Sequence, residues 1–128
     1  MTKGRGWMAL GATLAGVSVA IGAFGAHGLK GRVPTELLAV YETGARYHFY
    51  HALALILLGI LAETLSESYV KRSGWALLAG IALFSGSLYV MTLTGERWLG
   101  AVTPLGGVAF MFGWANLAWG LWKQPEES

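Results

Sequence analysis

The side chains of this sequence that could hold a ligand or move a proton fall in a few short stretches. They are His27, then Glu42, Arg46, Tyr47, His48, Tyr50 and His51, then Ser85, Ser87 and Tyr89, and finally Thr92, Thr94, Glu96, Arg97 and Thr103. Glu42 and Arg46 stand four apart with the acid first, the order in which such residues pair along one face of a helix. Tyr47 and His51 have the same spacing. His51 lies one helical turn, about 6 Å, inside an apolar stretch, and an ionisable residue so placed is a candidate functional group. His48 and His51, three apart on one face, could hold zinc or copper if His27 approached from another helix, whereas haem would need axial imidazoles on facing helices. No carboxylate completes a HExxH pattern, so no metal is expected. Structural roles compete with each of these readings. Arg and Glu near helix ends pair or snorkel to anchor a bundle, an interfacial His commonly serves in packing, and Asn116 is the kind of residue that joins membrane helices.

Enzyme signatures are missing. The sequence has no Gly-x-Ser-x-Gly, no phosphate loop, no cysteine and no aspartate, all seven acids being Glu. Gly22 to Gly28 (Gly-Ala-Phe-Gly-Ala-His-Gly) looks like a dinucleotide loop but has no preceding strand. No enzymatic activity and no cofactor are expected.

The elements that must position these residues are set by composition. The 128 residues are 55% hydrophobic and 12% charged, with 19 glycines and 6 tryptophans, and the mean hydropathy is +0.52. A soluble domain carries about 25% charged residues. The formal charge of +2 and pI of 9.1 reflect a small excess of base without a basic stripe, so nucleic acid is not an expected partner. Trp7 to Phe24, Gly74 to Thr94 and Trp98 to Trp122 contain no charged residue. A helix crosses the ~30 Å hydrocarbon core with about 20 apolar residues, and an open sheet cannot satisfy its backbone there. The expected fold is all-α: one domain of four transmembrane helices at about 7–28, 44–63, 74–94 and 103–122. The first apolar run exceeds the core of a signal peptide and is read as a retained span.

Leu37, Leu38, Tyr41 and Ala45 recur at helical spacing and predict an amphipathic, interface-lying lead-in to the second span. Thr35 is expected to cap it and Thr103 to cap the last helix. Residues 63–73 read as a polar loop. Four spans put both termini on one side with Lys3, Arg5, Lys71, Arg72 and Lys123, against Lys30, Arg32, Arg46 and Arg97 on the other. The bias favours cytoplasmic termini in the cell's inner membrane. Small residues recur at Ala12, Gly16 and Ala20, at Ser18, Gly22 and Ala26, at Ala82, Gly86 and Val90, and at Gly106, Gly113 and Gly120. They suit close packing within the bundle, or one face left for self-association.

At these residues the chain resembles a known family. Gly22-Ala23-Phe24-Gly25-Ala26-His27, Glu42-Thr43-Gly44 with Tyr47 and His51-Ala52-Leu53-Ala54, Phe84-Ser85-Gly86-Ser87-Leu88-Tyr89, and Thr103-Pro104-Leu105-Gly106-Gly107 followed by Phe110, Gly113 and Trp114 are similar to the small four-helix membrane proteins described as domain of unknown function 423. That family also takes in eukaryotic transmembrane protein 256. The resemblance implies a short integral membrane protein, mostly bacterial, with no established activity and no catalytic residue to transfer. Its pattern falls on His27, Tyr47, His51, Ser85, Ser87, Tyr89, Thr103 and Pro104, and not on Arg46 or His48.

The sequence thus points to a non-enzymatic bundle that self-associates or serves another membrane complex. A polar pocket near the outer face, built from His27, Glu42, Arg46, Tyr47, His51, Ser85, Ser87, Tyr89 and Thr103, would take a lipid headgroup or small ligand. Membrane lipids and other membrane proteins are the expected partners. The alternatives are a small proton-coupled transporter working as an oligomer, with His51 as its proton site, and a haem- or quinone-linked redox subunit.

Overall fold

Hydrocarbon supplies no hydrogen-bond partner, so each apolar segment closes its own backbone bonds as a helix. The computed structural model describes residues 3–123, which contain no strand. Helix α1 is Arg5–Phe24, ending in a π-helical turn at Gly25–Leu29, and α2 is Thr35–Leu61. Helices α3 (Glu67–Gly80) and α4 (Gly86–Thr94) are two halves of one rod, joined by a second π-helical turn at Ile81–Ser85. A short 3-10 turn, Arg97–Ala101, leads into α5, Thr103–Lys123. The four rods have 25, 27, 28 and 27 residues, roughly 40 Å each at 1.5 Å per residue, long enough to cross a bilayer.

The rods run up and down in chain order. Helix α1 packs on α2, α2 on α3–α4, and α3–α4 on α5. In the two outer rods 17% of the most apolar window is buried, against 44% in the two inner ones, so α1 and α5 flank a central pair. Leu55, Leu58 and Leu77 at the centre are fully buried, with Ile81, Phe110 and Leu117 around them.

Small residues every seven positions make the close approaches. Gly4, Gly11, Ser18 and Gly25 form the face of α1 that meets α2. A Cβ on Gly11 would stand 2.6 Å from the Ala52 carbonyl, one on Gly25 would strike the Tyr41 ring, and one on Gly4 would overlap the Gly59 backbone. Gly106, Gly113 and Gly120 do the same for α5 against Phe84, Leu77 and Tyr69. A seven-residue repeat, 3.5 per turn, suits shallow left-handed crossings. The stripes Ala12, Gly16, Ala20 and Ala82, Gly86, Val90 do not pack inward: Ala12, Gly16, Ala20, Ala82 and Val90 are exposed, and a Cβ on Gly16 or Gly86 would meet nothing.

Three local expectations are corrected. The lead-in is not a separate interfacial helix: α2 runs unbroken through Thr43 and Gly44, burying Leu37, Tyr41, Gly44 and Ala45. Residues 63–73 are not all loop, because α3 starts at Glu67, whose carboxylate suits the positive helix end, and buries Val70, Ser73, Gly74 and Leu77 along one face. Neither threonine caps through its side chain. Thr35 is already helical, with Pro34 in the cap position and its carbonyl accepting from Leu37 and Leu38. The Thr103 hydroxyl meets Ser87 instead, at 2.6 Å. Between the rods, Gly31 and Gly95 take φ of 85° and 79°, where a side chain is disfavoured.

Gly11→Leu is expected to overpack the α1–α2 seam and cost about 1–3 kcal/mol, while Gly16→Leu stays within about 0.5 kcal/mol. Thermal unfolding of the detergent-solubilised protein distinguishes the two. Equal effects would contradict the assignment of the faces.

Candidate functional site

Helix α2 is the element through which the polar groups are organised. On one side, toward α5, His51 is buried with both ring nitrogens bonded: Nδ1 lies 2.7 Å from the Tyr47 carbonyl, and Nε2 accepts from the Trp114 indole at 3.0 Å. A carbonyl only accepts and an indole N–H only donates, so the proton sits on Nδ1 and the ring is neutral. The ring stacks on Phe110 at 3.6 Å between centroids and 9° between planes, with Tyr47 parallel at 6.2 Å. Phe84, carried by the π-helical turn, touches both Tyr47 and Phe110.

On the other side of α2, His48 is buried against α1 and α4. Its Nδ1 meets the Tyr89 hydroxyl at 2.8 Å. Its Nε2 is buried without a hydrogen bond. Tyr41 packs on Tyr89 and donates to the Ile21 carbonyl at 2.7 Å. Ser85 donates to the Gly44 carbonyl at 2.7 Å, and Thr92 to the Leu37 carbonyl at 3.0 Å. Ser87 and Thr103 share the bond that ties α4 to α5. A third set lies nearer the termini. Asn116 donates to Ser73 and to the Tyr69 carbonyl, and Ser73 donates to the Gly113 carbonyl, which is the joining role its sequence position suggested.

The side chains expected to line one polar pocket are therefore distributed. Ser85, Ser87, Tyr89 and Thr103 hold helix to helix. His27 sits exposed in the first π-helical turn. Glu42 and Arg46 are exposed and form no ion pair; Arg46 instead donates to the Thr43 hydroxyl at 3.3 Å. His48 and His51 do not share a face, since one bonds across to α4 and the other to α5. Among the described residues no three His or Glu side chains converge in a way that could hold a metal ion. Of the expected set, Arg46 lines a shallow cavity of about 330 Å³ with Ser18, Val19, Ala45, Phe49 and Tyr50, and Tyr47 and His51 line a larger one. This is an open groove of about 490 Å³ between α2 and α5, completed by Tyr50, Phe84, Gly107, Phe110, Met111 and Trp114. Its surface is almost entirely aromatic and aliphatic, and such a groove takes an apolar chain more readily than a charged group. Phe110, Trp114 and Tyr41 were absent from the sequence-based set. The four-residue spacing of Phe110 and Trp114, on the helix whose glycines repeat inward, was the signal that could have found them.

Trp114→Phe keeps the ring but strands Nε2 of His51, and Tyr89→Phe strands Nδ1 of His48. Each is expected to cost about 1–3 kcal/mol. Tyr47→Phe should be neutral, because the bond to His51 uses the Tyr47 carbonyl. Thermal unfolding monitored by far-UV circular dichroism checks all three, and a silent Trp114→Phe would contradict the assigned bond.

A family model described as "Protein of unknown function (DUF423)" matches residues 21–107. That stretch takes in every expected site residue from His27 to Thr103 and stops short of Phe110 and Trp114. The chain is 53% identical over 106 residues to the UPF0382 membrane protein YwdK of Bacillus subtilis (strain 168), covering 82% of this chain and 86% of that protein. It is 47% identical over 108 residues to the UPF0382 membrane protein SAB0533 of Staphylococcus aureus (strain bovine RF122 / ET3-1), covering 84% and 88%. It is 46% identical over 114 residues to SSP2132 of Staphylococcus saprophyticus, covering 89% and 94%. No solved structure matches. With four apolar rods and relatives named as membrane proteins, the chain is an integral membrane protein and belongs to the DUF423 family.

Proposed function

We propose that this protein is a non-enzymatic membrane bundle that binds the apolar part of a lipid in the groove between α2 and α5 and works in association with copies of itself or another membrane protein. The observation that carries this is the groove: about 490 Å³, walled almost entirely by aromatic and aliphatic carbon, with the Trp114 N–H and His51 Nε2 bonded to each other. Gly107 leaves its floor open, since a Cβ there would meet nothing within 4 Å. Self-association is supported by the outward small-residue face of α1, where Ala12, Gly16 and Ala20 would let a second helix approach closely. The excess of base at the terminal end favours cytoplasmic termini in the cell's inner membrane.

The transporter reading loses its mechanism in the bonding of His51. A proton relay needs a free lone pair or an exchangeable partner, and both nitrogens are committed to groups that cannot change roles. Nor do His48 and His51 face one another across helices in a way that haem ligation requires.

Gly107→Leu fills the groove without disturbing a helix contact. It should lower the lipid retained in native mass spectra from mild detergent at least severalfold and leave the unfolding temperature unchanged. Retention equal to the unsubstituted protein would remove the groove as the binding site, and a strictly monomeric species would remove self-association.

A further inference from the structure

A second cavity lies at the opposite end of the bundle from His27 and the start of α2. It measures about 400 Å³ and sits where the start of α1, the end of α2 and the start of α3 meet. Trp7, Ala62, Leu65 and Val70 make its floor, and Lys3, Lys71 and Glu67 its rim. The floor is rigid: Ala62, Leu65 and Val70 are buried, and Trp7 is held between Gly74 and an edge-on contact with Trp75 at 5.6 Å. The rim is electrostatically biased. Lys3, Arg5, Lys71, Arg72 and Lys123 lie at this end, against Glu63 and Glu67 among the described residues. The Glu63 carboxylate is engaged by the Lys3 backbone N–H at 2.8 Å. Glu67 pairs with Lys71 at 3.2 Å, but both side chains are exposed, and such a pair is weak enough to yield Lys71 to a stronger anion.

An apolar floor beneath a cationic rim, at the end of membrane-crossing rods, matches one chemistry: a phosphate carried on an apolar body. We propose that this cavity is a binding site for an anionic phospholipid. Its phosphate would lie between Lys3 and Lys71 and its glycerol and first acyl carbons on Trp7 and Val70. Trp7 suits such a site, because indole rings favour the membrane–water interface. A soluble phosphate would use the rim and leave the floor empty. The site is separate from the groove between α2 and α5 and does not rest on that reading.

The test uses the full chain in mild non-ionic detergent, titrated with phosphatidylglycerol, phosphatidylcholine or inorganic phosphate and followed by native mass spectrometry. Phosphatidylglycerol should be retained over phosphatidylcholine. Lys3→Gln and Lys71→Gln should each weaken its retention by about fivefold, the scale of one basic side chain at a lipid surface. Glu67→Gln frees Lys71 and should strengthen retention, a direction that loss of folding does not produce. Lys30→Gln, at the other end, should leave it unchanged. The proposal is overturned if phosphatidylglycerol is held no better than phosphatidylcholine, if the double Lys3/Lys71 variant binds as before, if Lys30→Gln weakens binding equally, or if Glu67→Gln lowers it. Displacement of the lipid by millimolar inorganic phosphate would assign the site to a free anion and overturn the lipid.

Discussion

Hydrocarbon offers no partner to a polar group, and this constraint organises the whole molecule. A buried hydroxyl or imidazole in such a solvent must find its bond within the protein, and the available acceptors are the carbonyls of neighbouring helices. Ser73, Ser85, Thr92, Tyr41 and Asn116 each reach one across a helix contact. Because carbonyl oxygens lie close to the helix axis, such bonds require closely packed rods. The small residues at every seventh position of the first rod and of α5 provide that closeness. Polar joining and small-residue packing are thus two aspects of one requirement, and a substitution that separates the helices weakens both.

Helix α2 shows how a single rod serves two interfaces. His48 and His51, three residues apart, anchor different contacts, one to Tyr89 of α4 and the other to Trp114 of α5. The second π-helical turn takes part on the facing rod. It carries Phe84, which joins the ring stack, and Ser85, which bonds the Gly44 carbonyl. Single π-helical turns of this kind inside α-helices are frequent at functional sites.

The fold was largely legible in the sequence because charge is excluded from the spans by a large energetic penalty, and its absence can be read directly. What a charge count could not read was the face each residue takes. Glu67 to Ser73 look like a loop by hydropathy, yet Val70, Ser73, Gly74 and Leu77 share one buried side while Lys71 and Arg72 reach toward water. The Ala12–Gly16–Ala20 stripe is as regular as Gly4–Gly11–Ser18–Gly25, and only the partner helix decides which of them packs inward. At the candidate site the polar residues expected to share one pocket lie apart. Proximity along α2 suggested a shared pocket, and the 100° rotation per residue sent His48 and His51 to different neighbours. Asn116 was legible because a lone amide deep in an apolar helix has few roles.

The order of the rods in space is the order of the rods in the chain, and this bears on biogenesis. Each main contact joins consecutive segments, so α2 emerges into the bilayer with α1 already there to receive it, and the α3–α4 rod then finds α2. Folding of this kind closes only short loops and is fast. Contacts that skip a neighbour, such as Trp7 with Trp75, the His51–Phe110 stack and His51 with Trp114, are fewer. The His51–Trp114 bond cannot form until the last rod has been inserted, so the indole of α5 acts as a completion mark, leaving the nascent three-rod intermediate with a bare imidazole nitrogen exposed to lipid.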